Sequence, residues 1–443
     1  MVQRSFLTRF ARNHLETLNL RRFFGDYRTF AFSPDTFHLG IGEIANVVDA
    51  ATWQAIWRDF WQDPRLVSRL TMYAGTRGEC EANQALAEHL GELLGRPELG
   101  EQHVVPYDGG HNALNGVVRA CVAPLGSPTE ARQYVLVPTP CYPYFSTILN
   151  LHCGILAFTA YSAEELVQGI ETLVNPQVGV VLINTPHNPT GYALTPAQVE
   201  RINRAVAPYD CVLAVDMVYA CNALEPQAVR ALGGFDPQRT VYLDSFSKKF
   251  GLPGLRLGYA ACANLELVEA LRMMKAAESI SASAVKLLFG AYLLRQHREL
   301  AEAIAAAIRR RHHAFRQAIA GIEEYGVALP PASGNAFYLP LFLERLLARS
   351  DLDADAFGTR CLERYGLEVV TGTRMYPPAG LPQGRLHLAN GEARIVEPGP
   401  VVYAPDFARA KRPFIRVSFG IEERVVEAAA RLRQACAEAF RGD

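Results

Sequence analysis

Short apolar runs rich in β-branched residues alternate with helical stretches from about residue 100 onward. Each run has the length of one buried strand, and most end at a polar or glycine-bearing loop. Strands that alternate with helices favour a parallel sheet covered by helices on both faces, so we predict an α/β fold with its ligands beyond the carboxyl ends of the strands. The predicted strands are 103–106, 134–138, 178–184, 212–216, 240–243 and 257–261.

A second, smaller α/β domain is predicted after a helical connector at 265–320. Its candidate strands are 336–341, 367–370 and 414–419, and apolar spacing predicts a final amphipathic helix at 422–440. Clustered proline and glycine at 377–384 predict a long loop at about 372–412. We therefore divide the chain into an N-terminal arm that joins the small domain (1–45), a large domain (46–300) and the small C-terminal domain (301–443).

The composition excludes several classes of protein. With 443 residues, a formal net charge of −1 and 49% apolar residues, the chain has no expected nucleic-acid partner and no membrane-length apolar run. Its nine cysteines show no C-x-x-C pairing, which favours reduced thiols over disulfides or zinc. Residues 1–24 lack an apolar signal core; their arginines could mimic an organelle-targeting helix, but an arm that clasps a partner is favoured. We expect a cytoplasmic protein.

The stretch from Ser245 to Gly258 reads Ser-Phe-Ser-Lys-Lys-Phe-Gly-Leu-Pro-Gly-Leu-Arg-Leu-Gly. An amine that forms an imine with a phosphorylated aldehyde needs a recessed position, with hydroxyls and a guanidinium nearby for the phosphate. Lys248 and Arg256 have this arrangement. The alternative is a basic surface loop, but a chain with five lysines against thirty-nine arginines rarely places two lysines together by chance.

Other polar motifs follow predicted strands. Asn188 begins an Asn-Pro-Thr-Gly turn, Asp216 ends an apolar strand with Tyr219 three residues later, and a double glycine at Gly109 opens a helix. Taken singly, each has an ordinary structural explanation as a turn, a helix cap or a loop. The order and spacing of all of them are far more specific.

Together these segments resemble the fold-type I pyridoxal phosphate-dependent aminotransferases (class I/II), over roughly residues 38–420. The resemblance implies an aspartate aminotransferase-like fold, in which a large cofactor-binding domain holds a mostly parallel, seven-stranded type of sheet. Lys248 would form the Schiff base with pyridoxal 5′-phosphate. Asp216 would keep the pyridine nitrogen protonated, while Asn188 and Tyr219 would hydrogen-bond the phenolate oxygen. The catalytic residues implied are Lys248, Asp216 and Tyr219.

The resemblance also assigns the rest of the cofactor site. In Pro140-Cys-Tyr-Pro-Tyr144, Tyr142 would stack on the pyridine ring, and Tyr73 of Tyr-Ala-Gly-Thr-Arg-Gly would reach the phosphate in a neighbouring subunit. The protein would then be a homodimer with shared active sites, although Asn83 replaces an arginine usual in the family. The remaining phosphate and cofactor contacts would be Gly109, Gly110, His111, Ser245, Ser247 and Arg256.

The substrates implied are an amino acid and a keto acid. Arg416, in Phe-Ile-Arg-Val-Ser-Phe-Gly, would bind the substrate α-carboxylate, and Gly42 would let the N-terminal segment close over it. The expected reaction is transamination by ping-pong kinetics. A pyridoxal phosphate-dependent lyase, cyclase or oxidative tailoring enzyme is the alternative, since the same scaffold serves those reactions. The 372–412 segment could form a lid, with Arg374, Tyr376 and Tyr403 facing the substrate side chain.

Overall fold

The structure is a computed structural model that describes residues 35–45, 47–331, 334–389 and 391–442. Within these residues the largest sheet has eight strands in the order β14-β4-β3-β5-β6-β7-β8-β2. The strands are β1 Phe37–His38, β2 Val104–Tyr107, β3 Tyr134–Thr139, β4 Gly154–Thr159, β5 Val178–Asn184, β6 Val212–Asp216, β7 Thr240–Ser245, β8 Gly258–Ala261, β9 Tyr338–Phe342, β10 Leu367–Glu368, β11 Val370–Thr371, β12 Arg385–Ala389, β13 Glu392–Glu397, β14 Val401–Tyr403 and β15 Phe414–Ser418.

The large sheet is mostly parallel, and β8 is the strand that runs against its neighbours β7 and β2. β3 and β5 are buried along their whole lengths because apolar side chains pack against them from both faces. The predicted α/β fold class is confirmed. The predicted strands 178–184 and 212–216 have the bounds of β5 and β6, whereas β4 was not predicted.

Helices cover both faces of the sheet, and several begin at caps that the sequence encodes. Ser162 with Glu165, and Thr195 with Gln198, form capping boxes at the starts of two of them. The helices are α1 Ala50–Phe60, α2 Arg65–Leu70, α3 Cys80–Leu94, α4 Gly110–Cys121, α5 Phe145–Asn150, α6 Ala163–Leu173, α7 Pro196–Val206, α8 Pro226–Ala231, α9 Phe246–Lys249, α10 Leu265–Ser279, α11 Ala284–Gln296, α12 Arg298–Ala318, α13 Glu344–Leu347, α14 Ala354–Tyr365, α15 Phe407–Ala410 and α16 Val425–Arg441.

A smaller antiparallel sheet, in the order β11-β15-β9, shares its own core with α12 and α16. The chain enters this core early, since β1 pairs with β10 and both Phe37 and Leu39 are fully buried there. The predicted strand 367–370 is in fact two short strands, β10 and β11, in different sheets. The helical connector predicted at 265–320 consists of α10, α11 and α12.

The segment 372–412 differs from the loop that its prolines and glycines predicted. It contains an exposed hairpin of β12 and β13, and β14 adds to the large sheet beside β4. Val401 and Val402 are fully buried against that sheet edge, which explains why so short a strand forms. Part of the predicted small domain thus belongs to the large sheet. The domain boundaries otherwise stay predictions, and the arginine-rich residues 1–24 lie outside the described residues.

Candidate active site

A cavity of about 1350 Å³ lies beyond the carboxyl ends of β2, β3, β5, β6 and β7. Loops that follow these parallel strands meet there, as expected at the ligand-binding edge of an open sheet. The small domain closes the cavity from the other side with Tyr338 and Arg416, and the N-terminal segment contributes Gly40, Ile41 and Gly42. Residues that are far apart in the sequence therefore share one site.

Lys248 lies in the short helix α9, which starts where β7 ends. Ser245 caps this helix by accepting a hydrogen bond from the backbone N–H of Ser247. The Nζ of Lys248 donates to the carbonyl of Gly42. Burial lowers the pKa of Lys248 to about 8, although the nearby carboxylate of Glu43 acts in the opposite direction. A substantial fraction of this amine is therefore neutral, and nucleophilic, close to physiological pH.

Asp216 is the buried acid of the site, with 7% of its surface exposed. Its Oδ2 accepts a hydrogen bond from the hydroxyl of Tyr144, and its Oδ1 accepts one from the Val218 backbone N–H at 3.1 Å. Burial raises the pKa of Asp216 to about 6, and the hydrogen bond from Tyr144 partly offsets this. Within the described residues it forms no ion pair. A cationic ligand group in the cavity would satisfy it.

A hydrogen-bonded row of side chains lines the same cavity as Lys248. Asn188 Nδ2 donates to the Tyr219 hydroxyl at 3.3 Å, and that hydroxyl lies 3.0 Å from the hydroxyl of Tyr338. The backbone N–H of Asn188 is fixed by Asn184 Oδ1 at 2.8 Å. Burial raises the pKa of Tyr219 well above its usual value, so the phenol keeps its proton and can donate to an oxyanion.

Arg416, on β15, brings a buried guanidinium to the same place. Its Nη1 donates to Asn188 Oδ1 at 3.1 Å, its Nη2 donates to the Gly40 carbonyl at 2.6 Å, and its Cζ lies 4.2 Å from the centre of the Tyr338 ring. Its Nε has no hydrogen-bond partner among the described residues. A buried donor without an acceptor is costly, so this guanidinium suits an anionic ligand.

Gly42 is required where it lies. A Cβ at this position would come within 2.6 Å of the Tyr338 hydroxyl. The segment around it is held by β15, because the Ser418 backbone N–H donates to the Leu39 carbonyl at 2.6 Å and the Ser418 hydroxyl donates to the Ile41 carbonyl. The N-terminal segment therefore lies against Arg416, whose Nη2 donates to the Gly40 carbonyl, and its predicted closure over a substrate carboxylate stays a prediction.

One corner of the cavity collects hydrogen-bond donors. Gly110 begins α4, whose first N–H groups have no acceptor within the helix, and Ser245, Ser247 and Arg256 line the same corner. Gly109 lies behind Arg256, with φ 95°, and a Cβ on it would come within 2.6 Å of the guanidinium. The corner can therefore hold a dianionic phosphate.

Two aromatic side chains with different roles follow β3. Tyr142 lines the cavity, with its ring edge-on to His111 at 6.0 Å and to Tyr144 at 5.2 Å. Tyr144 is buried and supports Asp216, a role that the sequence analysis did not assign, although both tyrosines lie in one motif. His111 faces the cleft and lies 2.6 Å from Thr147 Oγ1; burial and Arg256 lower its pKa, so the ring adds no positive charge at neutral pH.

Tyr73 lies apart from the other predicted site residues and is 84% exposed. Its turn is well ordered by local bonds, since Asn83 is buried and its Nδ2 donates to the Arg77 carbonyl at 2.7 Å. The residue that departs from the family pattern thus stabilises the turn that presents Tyr73. Its predicted contact with a neighbouring subunit remains a prediction.

The three residues of the 372–412 segment that were predicted to face the substrate side chain lie in different places. Arg374 and Tyr376 line the cavity, whereas Tyr403 packs against Phe407 with ring centres 4.2 Å apart. In the part of the chain that the structure describes, no group of three or more His, Cys, Asp or Glu side chains could hold a metal ion. Over the same residues, no helix is long and apolar enough to cross a bilayer.

The profile of the family described as aminotransferase class I and II matches residues 35–397. The chain belongs to this family. It is 23% identical to the putative aminotransferase YugH of Bacillus subtilis, over 70% of this chain and 77% of that protein. It is 27% identical to the arginine–pyruvate transaminase AruH of Pseudomonas aeruginosa, over 71% of this chain and 77% of that one.

The fold agrees with solved structures. The aspartate aminotransferase of Thermotoga maritima superposes with a TM-score of 0.69 at 17% identity, over 97% of this chain and 96% of that one. The predicted family and the predicted aspartate aminotransferase-like fold are both confirmed, and the protein is a transferase enzyme. Its family uses pyridoxal phosphate.

Proposed function

We propose that this aminotransferase holds pyridoxal phosphate at Lys248 and transfers an amino group between an L-amino acid and a 2-keto acid. The observation that carries the proposal is the meeting of Lys248, Asp216, Asn188, Tyr219 and Arg416 in one cavity. These five side chains supply an amine, an acid, two donors for an oxyanion and a carboxylate-binding guanidinium. They come from the loop after β5, the end of β6 with the turn that follows it, α9 and β15, so the arrangement is a property of the fold.

The residues present fit the cofactor. The donor corner at Gly110, Ser245, Ser247 and Arg256 suits its phosphate, and the unpaired, buried carboxylate of Asp216 suits its protonated ring nitrogen. Asn188 and Tyr219 would donate to its phenolate oxygen, while His111 would contribute shape more than charge. Tyr142 is proposed as the aromatic face that covers the ring and excludes water.

When bound, pyridoxal phosphate supplies an electron sink for charge that develops at the substrate α-carbon. The chain's own residues hold the cofactor, orient the substrate and move the proton. Lys248 binds the cofactor through its amine and, once released, moves a proton at the substrate α-carbon. Arg416 orients the α-carboxylate, and Gly42 allows the backbone to close over it. We propose two half-reactions in ping-pong order, in which the amino donor leaves as a keto acid before the acceptor binds.

We also propose a homodimer with shared active sites. Tyr73 and several apolar side chains near it are exposed in the single chain, which favours a covering partner: Val67 at 67%, Met72 at 76% and Tyr73 at 84%. Two inactive variants, Tyr73→Ala and Lys248→Ala, should recover part of their activity when they are mixed after mild dissociation, because one site of the mixed dimer then has both residues. Recovery of no activity, or a monomer by sedimentation, would contradict the shared site.

A cytoplasmic location is proposed as well. All nine cysteines are free thiols, six of them are buried, and none forms a disulfide. This matches a reducing compartment. The location can be tested by fractionating growing source cells and detecting the protein in each fraction with an antibody. Recovery of the protein outside the cytoplasm would contradict the proposal.

The function is tested by following the absorbance of the protein with bound cofactor while single L-amino acids are added. Conversion to the pyridoxamine phosphate spectrum, release of the matching keto acid, and reversal by a second keto acid would establish transamination. Release of ammonia without pyridoxamine phosphate would favour the lyase, cyclase or tailoring alternative. Failure to bind pyridoxal phosphate would overturn the assignment.

A further inference from the structure

Lys411 occupies the wall of the cavity that the 372–412 segment provides. Its Nζ lies 4.9 Å from the centre of the Tyr376 ring and 4.6 Å from the centre of the Phe407 ring. Both rings are buried, at 7% and 5% exposure, so they form a fixed platform under the ammonium. Cation–π contacts of this kind hold an amine in place without neutralising its charge.

The charge of Lys411 has no carboxylate partner among the described residues. Each of the other four lysines donates to an oxygen: Lys248 to Gly42, Lys249 to Asp244, and both Lys275 and Lys286 to Asp108. The next residue, Arg412, is paired with Glu344. Partial desolvation beside the two rings lowers the pKa of Lys411, whose side chain is still exposed to solvent.

This wall is continuous with the reaction site. The Met375 carbonyl accepts a hydrogen bond from the Cys141 backbone N–H at 3.0 Å, one residue before Tyr142. Tyr376 and Tyr144 belong to one buried cluster, and Tyr144 contacts Asp216. A substrate held at Arg416 would therefore share its cavity with Lys411.

Arg374 adds a second cation to the same wall. It lines the cavity, its side chain is exposed there, and it forms no ion pair within the part of the chain that the structure describes. The acids nearby are engaged elsewhere: Asp355 accepts from Thr373 at 2.6 Å, and Asp353 caps α14. These two carboxylates keep their negative charge, so the wall carries charges of both signs, and Lys411 and Arg374 are the cations on it that form no ion pair among the described residues.

We propose that Lys411 is a specificity-determining residue that binds an anionic group at the far end of the substrate, with Arg374 in support. The substrates would then be amino acids and keto acids that carry a second carboxylate or a phosphate. This inference rests on the proposed function, which identifies the ligand as an amino-acid or keto-acid substrate.

Unreactive acids test it by binding alone. Butyrate is an unbranched four-carbon acid with one carboxylate, and glutarate is the same chain with a second carboxylate at its far end. Only glutarate therefore carries a second negative charge. We expect calorimetry on the protein loaded with pyridoxal phosphate to show about tenfold tighter binding of glutarate, as one charge-assisted hydrogen bond provides. Lys411→Met keeps the apolar stem over the two rings and should reduce the difference to about twofold.

Arg409→Met is the matched control, because Arg409 is an exposed residue of α15 in the same segment and does not line the cavity. It should leave the tenfold preference unchanged, and unchanged melting temperatures show that all variants are folded. A third ligand, 4-phosphonobutyrate, distinguishes the two sources of negative charge: tighter binding than glutarate favours a distal phosphate, and weaker binding favours a carboxylate.

The proposal fails if wild-type protein binds glutarate and butyrate equally, if it binds neither, or if Lys411→Met keeps the full preference. The proposed function is judged separately, by turnover of amino acids in the same preparation. An enzyme that transaminates neutral amino acids but does not prefer glutarate would keep its proposed function and lose this inference.

Discussion

Two acid–amine pairs lie side by side at the ends of β6 and β7, and they differ in whether their two members form an ion pair. Asp244 and Lys249 form a buried ion pair with a 2.5 Å Nζ–O distance, and the Tyr259 hydroxyl donates to the same carboxylate at 2.8 Å. Asp216 lies one strand away from Asp244, and Lys248 lies one residue before Lys249. Both face the cavity, and they form no ion pair with each other among the described contacts.

The difference separates a structural role from a functional one. In the Asp244–Lys249 pair, partners within the protein compensate both buried charges, and the pair joins β7 to α9. In the site, burial raises the pKa of Asp216 to about 6 and lowers that of Lys248 to about 8, so each charged form lacks full compensation. Such groups are suited to a ligand that supplies the missing partner.

The largest effect expected is on turnover. Lys248→Ala should reduce transamination about 10⁴-fold, since it removes both the covalent anchor and the proton-transfer group. The folded structure should persist, because among the described residues the side chain of Lys248 makes one hydrogen bond, to the Gly42 carbonyl, and the variant keeps the backbone. Steady-state rates and borohydride trapping of the cofactor measure the change. If borohydride still traps the cofactor in this variant, another lysine is the anchor.

Lys249→Met should act on stability instead. It leaves the buried carboxylate of Asp244 without its cation, and loss of one partner from a buried pair costs about 3–5 kcal/mol. Urea unfolding of the protein without cofactor measures this. The double variant Asp244→Leu, Lys249→Met is the control and should recover part of the loss, because no unpaired charge remains. A loss below about 1 kcal/mol would show that the pair is not structural.

Asp216→Asn should separate stability from function. The folded-state pKa of Asp216 is raised, so the folded protein binds a proton more tightly than the unfolded chain, and stability falls as pH rises from about 4 to about 6. The variant lacks this loss, so without cofactor it should be more stable by about 3 kcal/mol above pH 7, with a gap that narrows toward pH 4. Turnover should fall.

Urea unfolding of both proteins between pH 5 and pH 8 tests this. Tyr144→Phe is a useful companion, because it removes the hydrogen-bond donor from Asp216 but keeps the carboxylate. It should make the pH dependence of stability steeper, as the charged form loses a partner. A wild-type protein that is more stable than Asp216→Asn across the whole range would contradict the argument.

The smallest effect expected is a pH dependence of cofactor capture. Because the neutral amine of Lys248 is the nucleophile and its pKa is lowered to about 8, the rate should rise about tenfold per pH unit below 8 and level above it. Stopped-flow absorbance after mixing with pyridoxal phosphate measures the rate. A midpoint near 10 would mean that burial does not act on Lys248 as the structure indicates.

The residues that line the donor corner of the cavity could be picked out from the sequence because their signals are local. Ser245, Ser247, Lys248 and Arg256 lie within one short stretch, and Asp216 ends a strand whose apolar pattern is plain in the sequence. β4 was missed, although the apolar run at 154–159 resembles the strands that were found.

Other features depend on contacts between distant segments. β14 forms because Val401 and Val402 are buried against β4, about 250 residues earlier in the chain, and nothing in a three-residue run beside prolines indicates that partner. Tyr142 and Tyr144 are both plausible site residues in the sequence, and only the packing shows which one supports Asp216.

The sequence by itself determined the fold class, the family and the order of the site residues along the chain, because strand periodicity and short-range spacing are set by local geometry. The tertiary structure decided which charges are compensated: it paired Lys249 with Asp244, left Lys248 facing the cavity, and placed Lys411 on buried rings without an acid. Compensation and desolvation depend on what surrounds a charge in space, and neighbours in sequence do not specify that.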